Sequence, residues 1–285
     1  MGDARRLAGK RALVTGSDIG IGREIALEFA RQGADVVLHY CHHRQGALSA
    51  VDEIIAMERR AVALEADFDN LDDVFSLADQ SIQALGSIDC LVNNAGITFN
   101  RPFFKVGPEQ FDKLFNVNFR AQYFLTQRIA AHMVKGNGGS ICNMSSIHGL
   151  QGAPEHSAYA GTKGAIIAFT RSLAVELAHQ GVRVNAIAPG WITVENYYKA
   201  IPGFNEERAR QDAISSVPAA RYGLPIDVAL LAAFLCSDES TFMVGQTITL
   251  DGGTTALMSL ISNFRDASPA RFGVSYLPPS EDETR

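Results

Sequence analysis

The sequence predicts an α/β fold: one doubly wound parallel sheet with helices on both faces, in a single domain. Three observations carry this. Short apolar runs rich in β-branched residues alternate strictly with longer amphipathic stretches, as in strands joined by crossover helices. The first run ends in a glycine turn, Gly16 to Gly22, that opens into a helix. No repeat and no domain-splitting linker divides the 285 residues, a length that α/β sheets reach as one unit.

Each element has its own signal. Arg11 to Thr15 reads as a buried strand, and Arg23 to Gln32 as a helix closed by Gly33. Strands follow at 35–39, 61–65, 88–93, 140–144, 182–187 and 245–250. Helices are expected at 45–59, 72–85, 159–179 and 226–235, and residues 111–134 read as one long helix. Residues 191–220, after a strand's carboxyl end, read as a substrate lid within a domain spanning 1–253. Residues 254–285 form an extension whose apolar groups, Leu257, Met258, Leu260, Ile261, Phe264 and Phe272, suggest packing on the same domain or a neighbouring subunit.

Composition narrows the partners. Hydrophobic residues make up 47% and charged residues 20%, the balance of a globular core, and the net charge of −6 comes without a basic stripe. Nucleic acid is therefore not an expected partner. No apolar run approaches ~20 residues, so no membrane span is expected, and no secretory leader is read at the start. The four cysteines, Cys41, Cys90, Cys142 and Cys236, lack CxxC spacing. They read as reduced thiols of a cytoplasmic protein, with no metal site.

The glycine turn, Thr15-Gly-Ser-Asp-Ile-Gly-Ile-Gly22, brings a pyrophosphate close to main-chain amides at a positive helix end, the Rossmann-type arrangement. Asp67 and Asn93-Asn94-Ala95-Gly96 lie at the ends of later strands, where open α/β sheets place ligands. Asp67 suits the adenine amino group, or is an exposed loop acid. Asn94 contacts a cofactor or ties neighbouring strands.

Tyr159 and Lys163 share one face at the start of a helix. An ammonium beside a phenol lowers its pKa from about 10 toward the range useful for proton exchange. Two serines, Ser145 and Ser146, precede this helix. With Thr15-Gly-x-x-x-Gly-Ile-Gly22, Asn93-Asn-Ala-Gly96 and Pro189-Gly190, these residues closely resemble the short-chain dehydrogenase/reductase family over roughly residues 8–253, in the 3-oxoacyl reductase and sugar dehydrogenase branch.

The resemblance implies an NAD(P)-dependent oxidoreductase acting on CH–OH groups, with Tyr159 as acid/base. Lys163 would hold the nicotinamide ribose, and Ser146 rather than Ser145 would bond the substrate oxygen. Asn118, rather than Asn116, would anchor a water in the proton relay. The implied cofactor contacts are Gly16, Ser17, Asp18, Ile19, Gly20, Ile21, Gly22, Tyr40, Arg44, Asp67, Phe68, Asn94, Ala95, Gly96, Tyr159, Lys163, Pro189, Gly190 and Ile192. Val194 stands where the family often has threonine, with Thr193 one position earlier.

No acid is expected near Tyr40, and Arg44, His42 and His43 suit a 2′-phosphate. NADP is therefore favoured, with NAD as the other option. Candidate substrate residues are Ser146, His148, His156, Trp191 and Tyr197, with Gln151, Asn196 and Tyr198 nearby. This polar, aromatic set suits a sugar or polyol. A 3-oxoacyl-thioester (acyl-carrier-protein) reductase is the alternative, with Arg120 and Arg128 as the available basic contacts, and a non-catalytic cofactor-binding scaffold is a remote third. The resemblance also implies a homotetramer or homodimer.

Overall fold

A computed structural model describes residues 5–195, 203–258 and 264–265. Seven strands form one sheet: β1 (Arg11–Val14), β2 (Asp35–Tyr40), β3 (Ala61–Glu65), β4 (Cys90–Asn93), β5 (Gly139–Met144), β6 (Val182–Pro189) and β7 (Thr247–Leu250). Their order is β3-β2-β1-β4-β5-β6-β7, and every pairing is parallel. The chain reverses its direction of winding between β1 and β4, and ligands of such sheets bind outside the strand ends at that point.

Strand residues alternate between two cores because successive side chains point to opposite faces. Ala12, Val14, Val36, Leu38, Cys90 and Val92 enter one cluster, while Leu13, Val37 and Leu91 enter the other. Both faces are covered, which explains the unbroken apolar runs. On one face lie α1 (Gly20–Arg31), α2 (Arg44–Ala56) and α8 (Pro225–Cys236); on the other, α3 (Leu71–Leu85), α5 (Ala121–Lys135) and α6 (Ser157–Leu177). Local signals set the helix ends. Asn70 accepts the Asp72 amide at the start of α3, and Gly86, with φ +81°, ends it in the left-handed region.

The long helix expected at 111–134 is three segments in continuous register. Helix α4 (Pro108–Phe115) passes through a π-helical turn, Asn116–Arg120, into α5. Within the expected lid, α7 (Glu206–Ser216) begins with the Asn205 side chain accepting the Arg208 amide. Asn196, Tyr197 and Tyr198, and most of the extension after residue 258, lie outside the described residues.

Candidate active site

The strand ends build the site in two halves. In the first, the turn after β1 is shaped by close approach. Gly16 has φ +60°, and a Cβ there would lie 2.9 Å from the Ala95 Cα; a Cβ on Gly22 would lie 2.0 Å from the Gly16 carbonyl oxygen. Only glycine allows the turn to fold onto α1 and onto the loop after β4. Helix α1 has no side-chain cap and no acid in its first turn, so its amides and positive end face the turn unopposed. These residues fit a dinucleotide pyrophosphate.

Several expected cofactor residues also make contacts within this half. Ser17 is buried, its hydroxyl donating to the Val14 carbonyl. Asn94 donates to the carbonyls of Thr15 and Gly16, and its amide donates to Thr15 Oγ1, joining β4 to the glycine turn. Phe68 is buried with its ring stacked 4.3 Å from His39, while Asp67 is exposed. Asp18 is buried, and loss of water raises its carboxyl pKa.

His39 carried no signal in the sequence. Its Nδ1 accepts the Gly16 amide at 3.0 Å, and Nε2 lies 3.1 Å from the Ala66 carbonyl oxygen. A carbonyl can only accept, so Nε2 carries the proton and the ring is neutral. Burial drives the imidazole pKa down to about 4.

The expectation that no acid adjoins Tyr40 is corrected. Parallel pairing sets Tyr40 opposite Glu65, and the phenol donates to Glu65 Oε2 at 3.1 Å. The acid comes from β3, a neighbour that local sequence cannot show. Burial and Glu65 raise the Tyr40 pKa, and the nearby Arg44 guanidinium acts to lower it. Ile192 pairs with Gly223 in an isolated bridge whose hydrogen bonds run from Gly223 to Trp191 and from Thr193 to Gly223. The main-chain groups of Ile192 thus stay outside that ladder. The hydroxyl of Thr193 beside it is buried without a hydrogen-bond partner.

The second half holds the chemistry. Tyr159 and Lys163 lie on α6, and the Lys163 ammonium stands 5.5 Å from the Tyr159 ring centre. Lys163 is buried, donates to the Met144 carbonyl at 2.8 Å, and has its pKa lowered to about 8 by loss of water. Ser146 ends β5's exit. Its Oγ accepts the His148 amide at 3.2 Å, which leaves the hydroxyl proton available to a ligand. Ser145 instead donates to the Lys163 carbonyl, tying β5 to α6.

The π-helical turn carries Asn118 inward, where it is buried. Its Oδ1 accepts the Ile97 amide, and its Nδ2 donates to the Ile97 carbonyl and to Thr162 Oγ1. Such turns insert one extra residue per turn and often mark functional positions. Asn116 faces away, donating to Asp69. Asn118, Ser146 and the Tyr159–Lys163 pair of α6 thus come together from three segments distant in sequence.

His148 and His156 stand beside Tyr159 as a stacked pair. Trp191 packs against Tyr222 at 6.0 Å, and Gln151 donates to the Thr255 carbonyl. Of the two basic candidates for a carrier protein, Arg128 is engaged by Asp79 in two hydrogen bonds, and Arg120 is exposed. No helix among the described residues is long and apolar enough to cross a membrane.

Comparison with known proteins agrees with this geometry. The family model described as enoyl-(acyl carrier protein) reductase matches residues 16–255. The hydroxynaphthalene reductase-like protein Arp2 of Metarhizium anisopliae is 39% identical over 259 residues, covering 88% of this chain and 96% of that protein. The 7α-hydroxysteroid dehydrogenase complexed with NADH and 7-oxo glycochenodeoxycholic acid superposes with a TM-score of 0.82 at 35% identity, over 88% of this chain and 96% of that one. A protein described as an NAD(P)-dependent gluconate 5-dehydrogenase from Beutenbergia cavernae, with NADP bound at low occupancy, gives 0.82 at 35% identity, over 89% and 100%. With Tyr159, Lys163, Ser146 and Asn118 gathered at the ends of a seven-stranded parallel sheet, the chain belongs to the short-chain dehydrogenase/reductase family of oxidoreductases.

Proposed function

We propose that the protein interconverts a ketone and a secondary alcohol on a cyclic, hydroxyl-bearing compound, using NADP or NAD. The observation that carries the reaction type is the convergence of the Tyr159 phenol, the Lys163 ammonium and the Ser146 hydroxyl. The ring-bearing class draws on the flat His148–His156 wall beside Tyr159, and on relatives described as acting on hydroxynaphthalenes and on a steroid.

When bound, the nicotinamide supplies or accepts the hydride. In the reductive direction, Tyr159 gives its proton to the substrate oxygen. Ser146 donates a hydrogen bond to the same oxygen, so both groups meet the negative charge as it develops. Lys163 favours the phenolate that remains, which keeps the tyrosine exchangeable near neutrality. Asn118 holds Ile97 and Thr162 beside Lys163, and anchors the route by which the proton is replaced. The Ile192 main chain and the Thr193 hydroxyl suit the cofactor's carboxamide, in place of the threonine missing at position 194.

A sugar or polyol is the second reading, supported by the polar wall and by the neighbour described as a gluconate 5-dehydrogenase. The commitment of Arg128 to Asp79 weakens the carrier-protein alternative. The test is nicotinamide absorbance with NADP and NAD separately, against hydroxylated bicyclic ketones, ketoses and β-ketoacyl thioesters. Reduction of the bicyclic ketones, lost by a factor of about 10² to 10⁴ in Tyr159→Phe, is the expected result. Turnover of thioesters alone refutes the proposal.

A further inference from the structure

Beside Tyr159 two histidines lie face to face. The rings of His148 and His156 are 4.5 Å apart and inclined by 1°. Each meets the Tyr159 ring edge-on, at 5.8 Å and 6.4 Å. Neither position is set by a regular element alone. His148 lies in the short turn Ile147–Gly149, where its amide bonds the Ser146 hydroxyl. His156 stands immediately before α6, and the residue preceding it, Glu155, has φ +63°. A side chain in that left-handed region is strained. The Glu155 carbonyl accepts the Arg101 amide at 3.0 Å, which helps to hold the turn.

The strained turn sets the chemistry of the His156 edge. Its Nδ1 lies 2.7 Å from the Pro154 carbonyl oxygen. The carbonyl can only accept, so Nδ1 carries the proton, and in the neutral ring Nε2 is left with a lone pair and no proton. Burial and the neighbouring imidazole lower the pKa of His148, which favours its uncharged ring near neutrality. The two groups that receive the substrate oxygen, Ser146 and Tyr159, are those the pair touches. A substrate ring seated on them therefore lies against this wall.

We infer that His156 Nε2 is a specificity-determining acceptor for a substrate hydroxyl near the reacting carbonyl, and that stacking on His148 holds its ring in place. The ring part of the substrate rests on the reading above; the demand for a hydroxyl donor does not, since it would hold equally for a ketose. An edge that only accepts discriminates against ligands lacking a donor, because its lone pair is then left unpaired.

Two measurements decide it. In the first, imidazole-nitrogen NMR of the full chain with cofactor added reads the His156 tautomer. A neutral ring protonated at Nδ1 is expected, and one protonated at Nε2 overturns the inference whatever the substrate. In the second, kcat/KM is compared for β-tetralone and its ring-monohydroxylated isomers in the wild type, His156→Phe and His156→Gln. Phenylalanine keeps a flat ring without an acceptor, and glutamine keeps an acceptor. The wild type should prefer one hydroxylated isomer about tenfold over the parent. His156→Phe should lose that preference, mainly through KM, and His156→Gln should restore part of it. Equal losses for parent and hydroxylated ketone would mean that the ring only packs. If the wild type reduces no tetralone, the ring-ketone reading fails by itself. The same variants then face fructose and its deoxy analogues, where unchanged discrimination sinks the inference.

Discussion

The Lys163 ammonium donates to the Met144 carbonyl at 2.8 Å while standing 5.5 Å from the centre of the Tyr159 ring. One buried cation is thereby held by the end of β5 and directed at the phenol on its own helix. Its position costs stability. Burial lowers its pKa from 10.5 to about 8, so between those values the unfolded chain binds more protons than the folded one. Stability therefore rises with pH through that window, and below about pH 8 the penalty is present in full, about 3 kcal/mol. Lys163→Met should abolish turnover, yet near neutrality lose no more than about 1–3 kcal/mol of unfolding free energy, the cost of the orphaned Met144 carbonyl. The difference should shift in favour of wild type between about pH 8 and 10.5. Denaturant titrations across that range check the sign.

His39 acts at the opposite end of the pH scale. Its folded pKa of about 4 lies below the ordinary 6.5 because burial outweighs the Ala66 carbonyl, which favours the proton. The unfolded chain again binds the extra proton. The contribution of His39 is complete above about pH 6.5 and is lost as pH falls toward 4, to the extent of about 3 kcal/mol. His39→Asn should flatten this acid limb in equilibrium unfolding. It should also raise the cofactor dissociation constant about tenfold, since the Gly16 amide loses its acceptor. An unchanged acid limb counts against the assignment.

We propose that coenzyme choice is set by two opposed charges at Tyr40. The Arg44 guanidinium on α2 acts on the phenol from one side, and Glu65 on β3 accepts its proton from the other. Arg44→Ala should weaken NADP binding by about tenfold, the loss of one charge-assisted contact, and leave NAD binding within about twofold. Glu65→Gln should move the ratio toward NADP by removing a carboxylate near the 2′ position. Titration calorimetry with each nucleotide reads both. Equal effects on the two coenzymes would place their 2′ groups elsewhere.

The extension after residue 253 is proposed to cover a substrate pocket. Its first turn meets the site, where the Gln151 side chain donates to the Thr255 carbonyl, and Arg265 donates to the Val217 carbonyl beyond α7. Removing residues 256–285 should raise substrate KM several-fold at constant cofactor affinity. An unchanged KM and an unchanged oligomer size in sedimentation would refute the covering role.

Much of this protein was legible along the chain because its signals are local. The alternation of runs such as Arg11–Val14 and Asp35–Tyr40 with amphipathic stretches dictated a doubly wound sheet, since a strand buried on both faces must be apolar throughout. The glycines at 16, 20 and 22 announced a close approach of backbone. The four-residue spacing of Tyr159 and Lys163 followed from helical period alone. What the sequence could not decide are relationships between segments far apart. The Tyr40–Glu65 contact depends on the register of β2 against β3. The inward turn of Asn118 depends on a π-helical insertion that local propensity does not encode. The neutral state of His39 depends on burial between the glycine turn and Phe68, and the tautomer of His156 on a strained residue before it. Propensity and period act over a few residues, whereas register, burial and proton placement exist only once the sheet has assembled.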